Sequence, residues 1–334
     1  MPLNCPKILS SLEMKMIKSL LVVTIILLTA CTRVEEVPIT DWVHHADFPG
    51  SARATASTFV IGDNAYLCCG RTVWHGGCLN EVWKYESQSD AWTQQDTFPG
   101  KPRVMAVAVT INGKGYVGMG CNGNAYANSV YRDLYEFDPT TGKWTQKASF
   151  PGKGANALVY GVVDGCLYTA MGFDETNYYP YTHKYDPLTD TWTKLPDAPH
   201  NYLLTSAFAI DKNFYVGAGY QSRNLRSVFS FNTETQKWSQ VASLPEGRML
   251  SNGLALNGKG YILLGRFWAG TENNGRLLSD IVEYDPNENT WTKRGDFPGG
   301  ARQNAMVFTI RDRGYIVMGE NDAHCLSDVW SFKP

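Results

Sequence analysis

Long runs of one charge are missing from this sequence, and so is any strongly basic segment: 30 Lys and Arg stand against 32 Asp and Glu, a formal net charge of −2. Tight binding to a phosphate backbone needs clustered cations, so nucleic acid is excluded as the main partner. Beyond the N-terminal segment there is no Leu-rich helical periodicity, which argues against a helical bundle. No Cys/His group has metal-ligand spacing, no Gly-rich loop is set to cradle a phosphate, and no Gly-x-Ser-x-Gly elbow carries a nucleophile. Neither a metal nor a cofactor is therefore expected. Aromatic residues at 13% and 31 glycines are what the chain does have, and that balance points to short strands and tight turns, an all-β fold.

The N-terminus reads separately. Lys15 and Lys18 precede the apolar stretch Leu20 to Leu28, too short to cross a bilayer comfortably, and Thr29-Ala30-Cys31 follow at once. This order marks an export signal, and Leu28-Thr29-Ala30-Cys31 resembles the lipobox of bacterial lipoproteins. The resemblance implies a diacylglycerol thioether on Cys31, with residues 1–31 as signal peptide and lipobox, 32–40 as tether and the folded domain from 41 to 334. Each buried acyl methylene contributes ~0.8 kcal/mol, so such an anchor would be the chain's contact with the membrane. An outer-membrane lipoprotein is expected, on the periplasmic or the cell-surface face, acting as a monomer. Met14 and Met16 are alternative starts.

The rest of the chain repeats with a period of about fifty residues. Tyr followed four residues later by Gly recurs at Tyr66/Gly70, Tyr116/Gly120, Tyr168/Gly172, Tyr215/Gly219, Tyr261/Gly265 and Tyr315/Gly319. A strand ending in an aromatic follows, at Tyr85, Phe137, Tyr185, Phe231, Tyr284 and Phe332, and Trp stands seven residues beyond it at Trp92, Trp144, Trp192, Trp238 and Trp291. The last repeat stops before its Trp, whereas Trp42 stands alone in matching context ahead of Asp47-Phe48-Pro49-Gly50. Residues 42–46 are thus expected to form the outer strand of the blade whose other strands lie in 298–334, because an unclosed ring would leave exposed sheet edges. These landmarks resemble the kelch repeat from Trp42 to Pro334, which implies a six-bladed kelch-type β-propeller closed by an N-terminal strand completing the last blade. One departure from the kelch pattern is that the first of its two glycines is replaced here by Cys69, Met119, Met171, Ala218, Leu264 or Met318.

In such a propeller the recurrent Tyr and Trp pack blade against blade, and a site falls on the loops that vary. The loops after each Gly carry aromatics unusual for exposed connections: Trp74 and His75, Tyr126 and Tyr131, Phe173 with Tyr178 and Tyr179, Tyr220, Phe267 and Trp268, and His324. Rings beside amides and carboxylates suit the C–H face and hydroxyl rim of a sugar. Counting from the Pro that opens each repeat, Arg53, Arg103, Arg248 and Arg302 share one position, with Ala155 and Tyr202 in the other two. The kelch resemblance puts that position and the residue after the Gly (Arg71, Cys121, Phe173, Tyr220, Arg266 or Glu320) near the channel mouth. The four recurrent arginines read equally well as structural; Arg71 and Arg266 break the repeat and are the better ligand candidates.

The expected function is binding of a carbohydrate or protein ligand at the propeller rim. The alternative is a sugar mutarotase acting on an acidic sugar, since Phe297 to Arg302 (FPGGAR) is similar to the openings of bacterial sialic acid mutarotases; Glu320 with Arg302, or Glu272, would then move the proton. Galactose oxidase also has a kelch-type propeller, yet His44, His45, His75, His183, His200 and His324 do not form its copper-ligand motif. Of the cysteines, Cys78 and Cys325 fall on loops of adjacent blades, so a disulfide there is open.

Overall fold

A computed structural model describes residues 36–73, 76–123, 130–152, 154–174, 176–268 and 275–334. Cys31, Trp74, His75, Tyr126 and Glu272 lie outside the described residues. Each repeat folds into one four-stranded antiparallel sheet. Blade one is Ser57–Ile61, Asn64–Cys68, Val82–Glu86 and Ala91–Gln94, in that spatial order from inside to outside. Blades two to five begin at the inner strands Val107–Ile111, Val159–Val163, Ser206–Ile210 and Asn252–Leu256 and run in the same order. The two inner strands are joined tightly because Asn112-Gly113, Asp164-Gly165 and Asn257-Gly258 supply two successive positive φ values, the turn whose twist matches paired strands.

Blade six contains Met306–Ile310, Arg313–Val317 and Val329–Lys333, and its fourth strand is Asp41–His44 from the other end of the domain. The expected closure is therefore present, and so is its register. Trp42 lies opposite Phe332, as Trp92 lies opposite Tyr85, Trp144 opposite Phe137, Trp192 opposite Tyr185, Trp238 opposite Phe231 and Trp291 opposite Tyr284. The strand ends at His44 instead of Ala46 because the Ala46 N–H turns to the Asp90 carboxylate of blade one, 3.0 Å away. That contact is itself repeated: Asp190 takes the Ala148 N–H and the Tyr185 hydroxyl, and Asn289 takes the Ala242 N–H and the Tyr284 hydroxyl. A single Asx side chain at the outer turn thus fastens one blade to the chain leaving its predecessor.

The core lies between the blades. Phe59, Tyr66, Phe137 and Trp144 pack across the first seam, and Phe208, Tyr215, Tyr284 and Trp291 across the fourth. Trp42 sits 5.4 Å from Phe297 and 5.3 Å from Phe332, and its indole N–H donates to the Ile39 carbonyl. Among the described residues no helix is long and apolar enough to cross a membrane.

Because Trp42 packs on both Phe297 and Phe332, Trp42→Ala should lower the unfolding free energy by about 2–4 kcal/mol. Chemical denaturation measures this; a loss below ~1 kcal/mol would mean the strand contributes little to closing the ring.

Candidate functional site

The mouth of the propeller is built from two chain segments per blade. At the end of each second strand the backbone passes through two positive φ values. Gly120 (φ 80°) takes the second, where an added Cβ would stand 2.5 Å from the Val104 carbonyl oxygen. The preceding position has φ of 53–66° although its occupants are Cys69, Met119, Met171, Ala218, Leu264 and Met318. Side chains in that region cost of order 1 kcal/mol each, which accounts for the glycine the repeat usually carries there.

This turn aims the next residue at the axis. Each such residue pairs antiparallel with the segment that enters its own blade: Arg71 with Ala54, Cys121 with Val104, Phe173 with Asn156, Tyr220 with Leu203, Arg266 with Met249 and Glu320 with Gln303. Adjacent blades are tied as well. The N–H of Gly70, Gly120, Gly219, Gly265 and Gly319 donates to the carbonyl of Arg103, Ala155, Arg248, Arg302 and Arg53 respectively. Below this belt Thr55, Met105, Ala157, Leu204, Leu250 and Asn304 all take φ of 51–55°. Thr55 donates to Asn304, Met105 to Thr55, Leu250 to Leu204 and Asn304 to Leu250, backbone to backbone. All six line a narrow axial space of about 130 Å³, and all but Thr55 also form the floor of a mouth cavity of about 1350 Å³.

The cavity has two unlike halves. Arg71 and Glu320 form a buried ion pair at 2.8 Å, and Glu320 also accepts from Gln303 and Asn304. Arg266 donates to Gln303 and pairs with Asp322. Opposite them Val104, Met105, Ala157, Phe173, Tyr178, Leu203 and Leu204 line an apolar wall. Phe173 and Tyr178 pack at 5.0 Å and Tyr220 against Trp268 at 5.2 Å, and Tyr178 is half exposed. Arg71, Phe173, Arg266, Trp268 and Glu320 are thus brought to one cavity, while Tyr220 supports Trp268 from behind the lining.

Arg53, Arg103, Arg248 and Arg302 are not at the ligand surface, and here the site expected from the sequence needs correcting. All four are fully buried. Arg103, Arg248 and Arg302 form two-pronged pairs with Asp133, Asp280 and Asp328, and Arg53 pairs with Glu81 at 2.6 Å. Each also donates to the carbonyl of the strained residue before the Gly: Cys69, Met119, Leu264 or Met318. Arg53, Arg103 and Arg302 lie over Phe48, Phe98 and Phe297, each at 4.8 Å. Arg302 is consequently no partner for Glu320; Arg71 is. The signal for this was in the sequence. Where the Arg is replaced by Ala155 or Tyr202, the acidic position is replaced too, by Tyr181 or Ser227. What sequence reasoning missed were Gln303, Asn304 and Asp322, uncharged or loop residues with no repeat signature.

Cys78 and Cys325 are free; Cys78 Sγ sits 3.1 Å from the Asn122 carbonyl on blade two's side, and Cys325 Sγ 3.8 Å from that of Arg71. Burial pushes both thiols up, and pushes Cys69 up to about 12. Among the described residues no group of His, Cys, Asp and Glu is arranged to hold a metal ion.

Six four-stranded blades around one axis define a β-propeller, and the kelch motif matches two of its repeats, residues 158–199 and 204–245. Those are blades three and four, the two without the Arg–carboxylate pair. The chain is similar to human Kelch-like protein 23 (26% identical over 279 residues, 81% of this chain and 47% of that protein). It is also similar to N-acetylneuraminate epimerase of Haemophilus influenzae (23% identical over 209 residues, 61% of this chain and 49% of that protein). The chain spans about half the length of these curated relatives. The solved structure of YjhT superimposes with a TM-score of 0.71 at 17% identity, covering 85% of this chain and 95% of that one, a likeness of fold.

Asp133→Ala would strand a guanidinium that is fully buried, so a loss of about 3 kcal/mol or more in denaturant unfolding is expected. A loss under ~1 kcal/mol would show that the ion pair does not organise the blade entrance.

Proposed function

We propose that this chain is a carbohydrate-binding propeller, displayed from a bacterial membrane by a lipid on Cys31. One observation carries the reading: a single cavity combines a fixed polar cluster (Arg71, Gln303, Asn304, Glu320) with the rings of Phe173, Tyr178 and Trp268, the last packed on Tyr220. A sugar presents the same two chemistries, hydroxyls at its edge and C–H groups on its faces. The cavity exceeds the ~300–1,000 Å³ usual for small-molecule pockets, so more than one sugar ring fits. The polar groups are held before a ligand arrives, which reduces the entropy cost of binding.

A second reading, sugar mutarotation, draws on Glu320 and Arg71 sharing the cavity wall and on the similarity to a neuraminate epimerase. Ring opening needs a group that can take or give a proton at the anomeric hydroxyl, and a positioned carboxylate meets that need.

A glycan array followed by calorimetry tests the first reading, with Trp268→Ala expected to weaken binding at least tenfold, about 1.4 kcal/mol. Unchanged affinity in that variant would remove the aromatic wall from the site. Acceleration of anomeric exchange in freshly dissolved sugars, followed by NMR, would favour the mutarotase. The anchor is checked by mass spectrometry of the N-terminus: an acylated Cys31 is expected, and its loss in Cys31→Ala should release the protein from membranes.

A further inference from the structure

We propose that Glu320 acts as a hydrogen-bond acceptor for the ligand and restricts the cavity to uncharged sugars, turning away acidic ones. The proposal rests on the carbohydrate reading above and specifies its ligand. Glu320 is only 4% exposed, yet it lines the mouth cavity. Its surroundings are one-sided. Arg71 Nη2 at 2.8 Å, Gln303 Nε2 at 3.1 Å and Asn304 Nδ2 at 2.7 Å all donate to Oε1. Oε2 accepts no hydrogen bond from any described residue, and it is not among the polar atoms sealed away without a partner. It therefore opens on the cavity as an acceptor held in a fixed direction. A carboxylate oxygen is acceptor-only while ionised, so what completes it is an O–H or N–H donor.

The charges around it point the same way. The guanidiniums of Arg71 and Arg266 already face the carboxylates of Glu320 and Asp322, so the two positive and two negative groups among the described lining residues cancel. Among the described lining residues neither guanidinium lacks a carboxylate partner, and a ligand carboxylate near Oε2 would meet a like charge. Sugar hydroxyls satisfy Oε2 without that repulsion. Each is a donor and an acceptor, so the same hydroxyl can reach the amides of Gln303 and Asn304.

Wild-type protein can be tested without any substitution by titrating pairs that differ only in charge: glucuronate against glucuronamide, and N-acetylneuraminate against its methyl ester. The neutral member should bind at least tenfold more tightly. Glu320→Gln then places an amide N–H where Oε2 stood, and the neutral-to-acidic ratio should fall tenfold or more in protein that circular dichroism shows to be folded, at a melting temperature lowered by loss of the buried Arg71 charge pair. Equal or tighter binding of the acidic members to wild type overturns the proposal, as does an unchanged ratio in a folded Glu320→Gln protein. If neither member of any pair binds and no neutral oligosaccharide on the array is retained, the carbohydrate reading fails, and this proposal with it.

Discussion

The antiparallel pairing of Asp41–His44 with Val329–Lys333 is the contact on which the remaining architecture depends. Every other blade is assembled from consecutive strands and could form locally. The sixth cannot, and until it closes, blades one and six each expose a face with buried-type side chains such as Phe308, Tyr315 and Tyr85. Closure also creates half of the site. Arg71 and Glu320 stand 249 residues apart in sequence and meet only across this seam. The Gly319 N–H reaches the Arg53 carbonyl across the same boundary. Ordering these distant segments costs loop-closure entropy, which the Trp42 contacts and the regular strand register offset.

Recurrence and departure from recurrence mean different things in this chain. Arg53, Arg103, Arg248 and Arg302 recur because each solves the same local problem: a carbonyl left by a positive-φ turn needs a donor, and the third strand begins with a carboxylate within reach. A fully buried guanidinium is tolerable only when so paired. Blades three and four abandon the pair and place aromatic rings, Phe173, Tyr178 and Tyr220, around the mouth instead. Blades five, six and one keep the pair and add polar residues at the axis. Blade two keeps the pair as well, yet Val104 and Met105 lie on the apolar wall, so the two halves of the cavity are set by the side chains of each entering segment and not by the structural Arg.

Propellers lend one scaffold to unrelated activities, so likeness to Kelch-like protein 23 or to the YjhT fold does not transfer a role. The site must be argued from its own groups. Here those groups are rigid. The residue after each Gly is held by backbone bonds on both its N–H and its carbonyl, as Arg71 is by Ala54, and the floor is a hydrogen-bonded collar of left-handed residues. The side chains that line the cavity are thus set on a backbone ring hydrogen-bonded at every blade, so exchanging one of them alters the cavity more readily than the fold.

Blade number, strand order, closure by the segment around Trp42 and even the register of that strand were readable in the sequence, because a packing contact repeated at constant spacing is a one-dimensional signal. The ring of residues after each Gly was readable for the same reason. Which of them face the mouth cavity was not. Arg71 and Arg302 carry the same guanidinium on neighbouring blades, and only the tertiary structure shows one in the cavity wall and the other folded back on Asp328. The contributions of Gln303, Asn304 and Asp322, and the direction in which Glu320 Oε2 points, likewise arise from distances between chain segments far apart in sequence. Periodicity encodes what every blade must do to pack; the asymmetry of the mouth exists only once six unlike loops are brought around one axis.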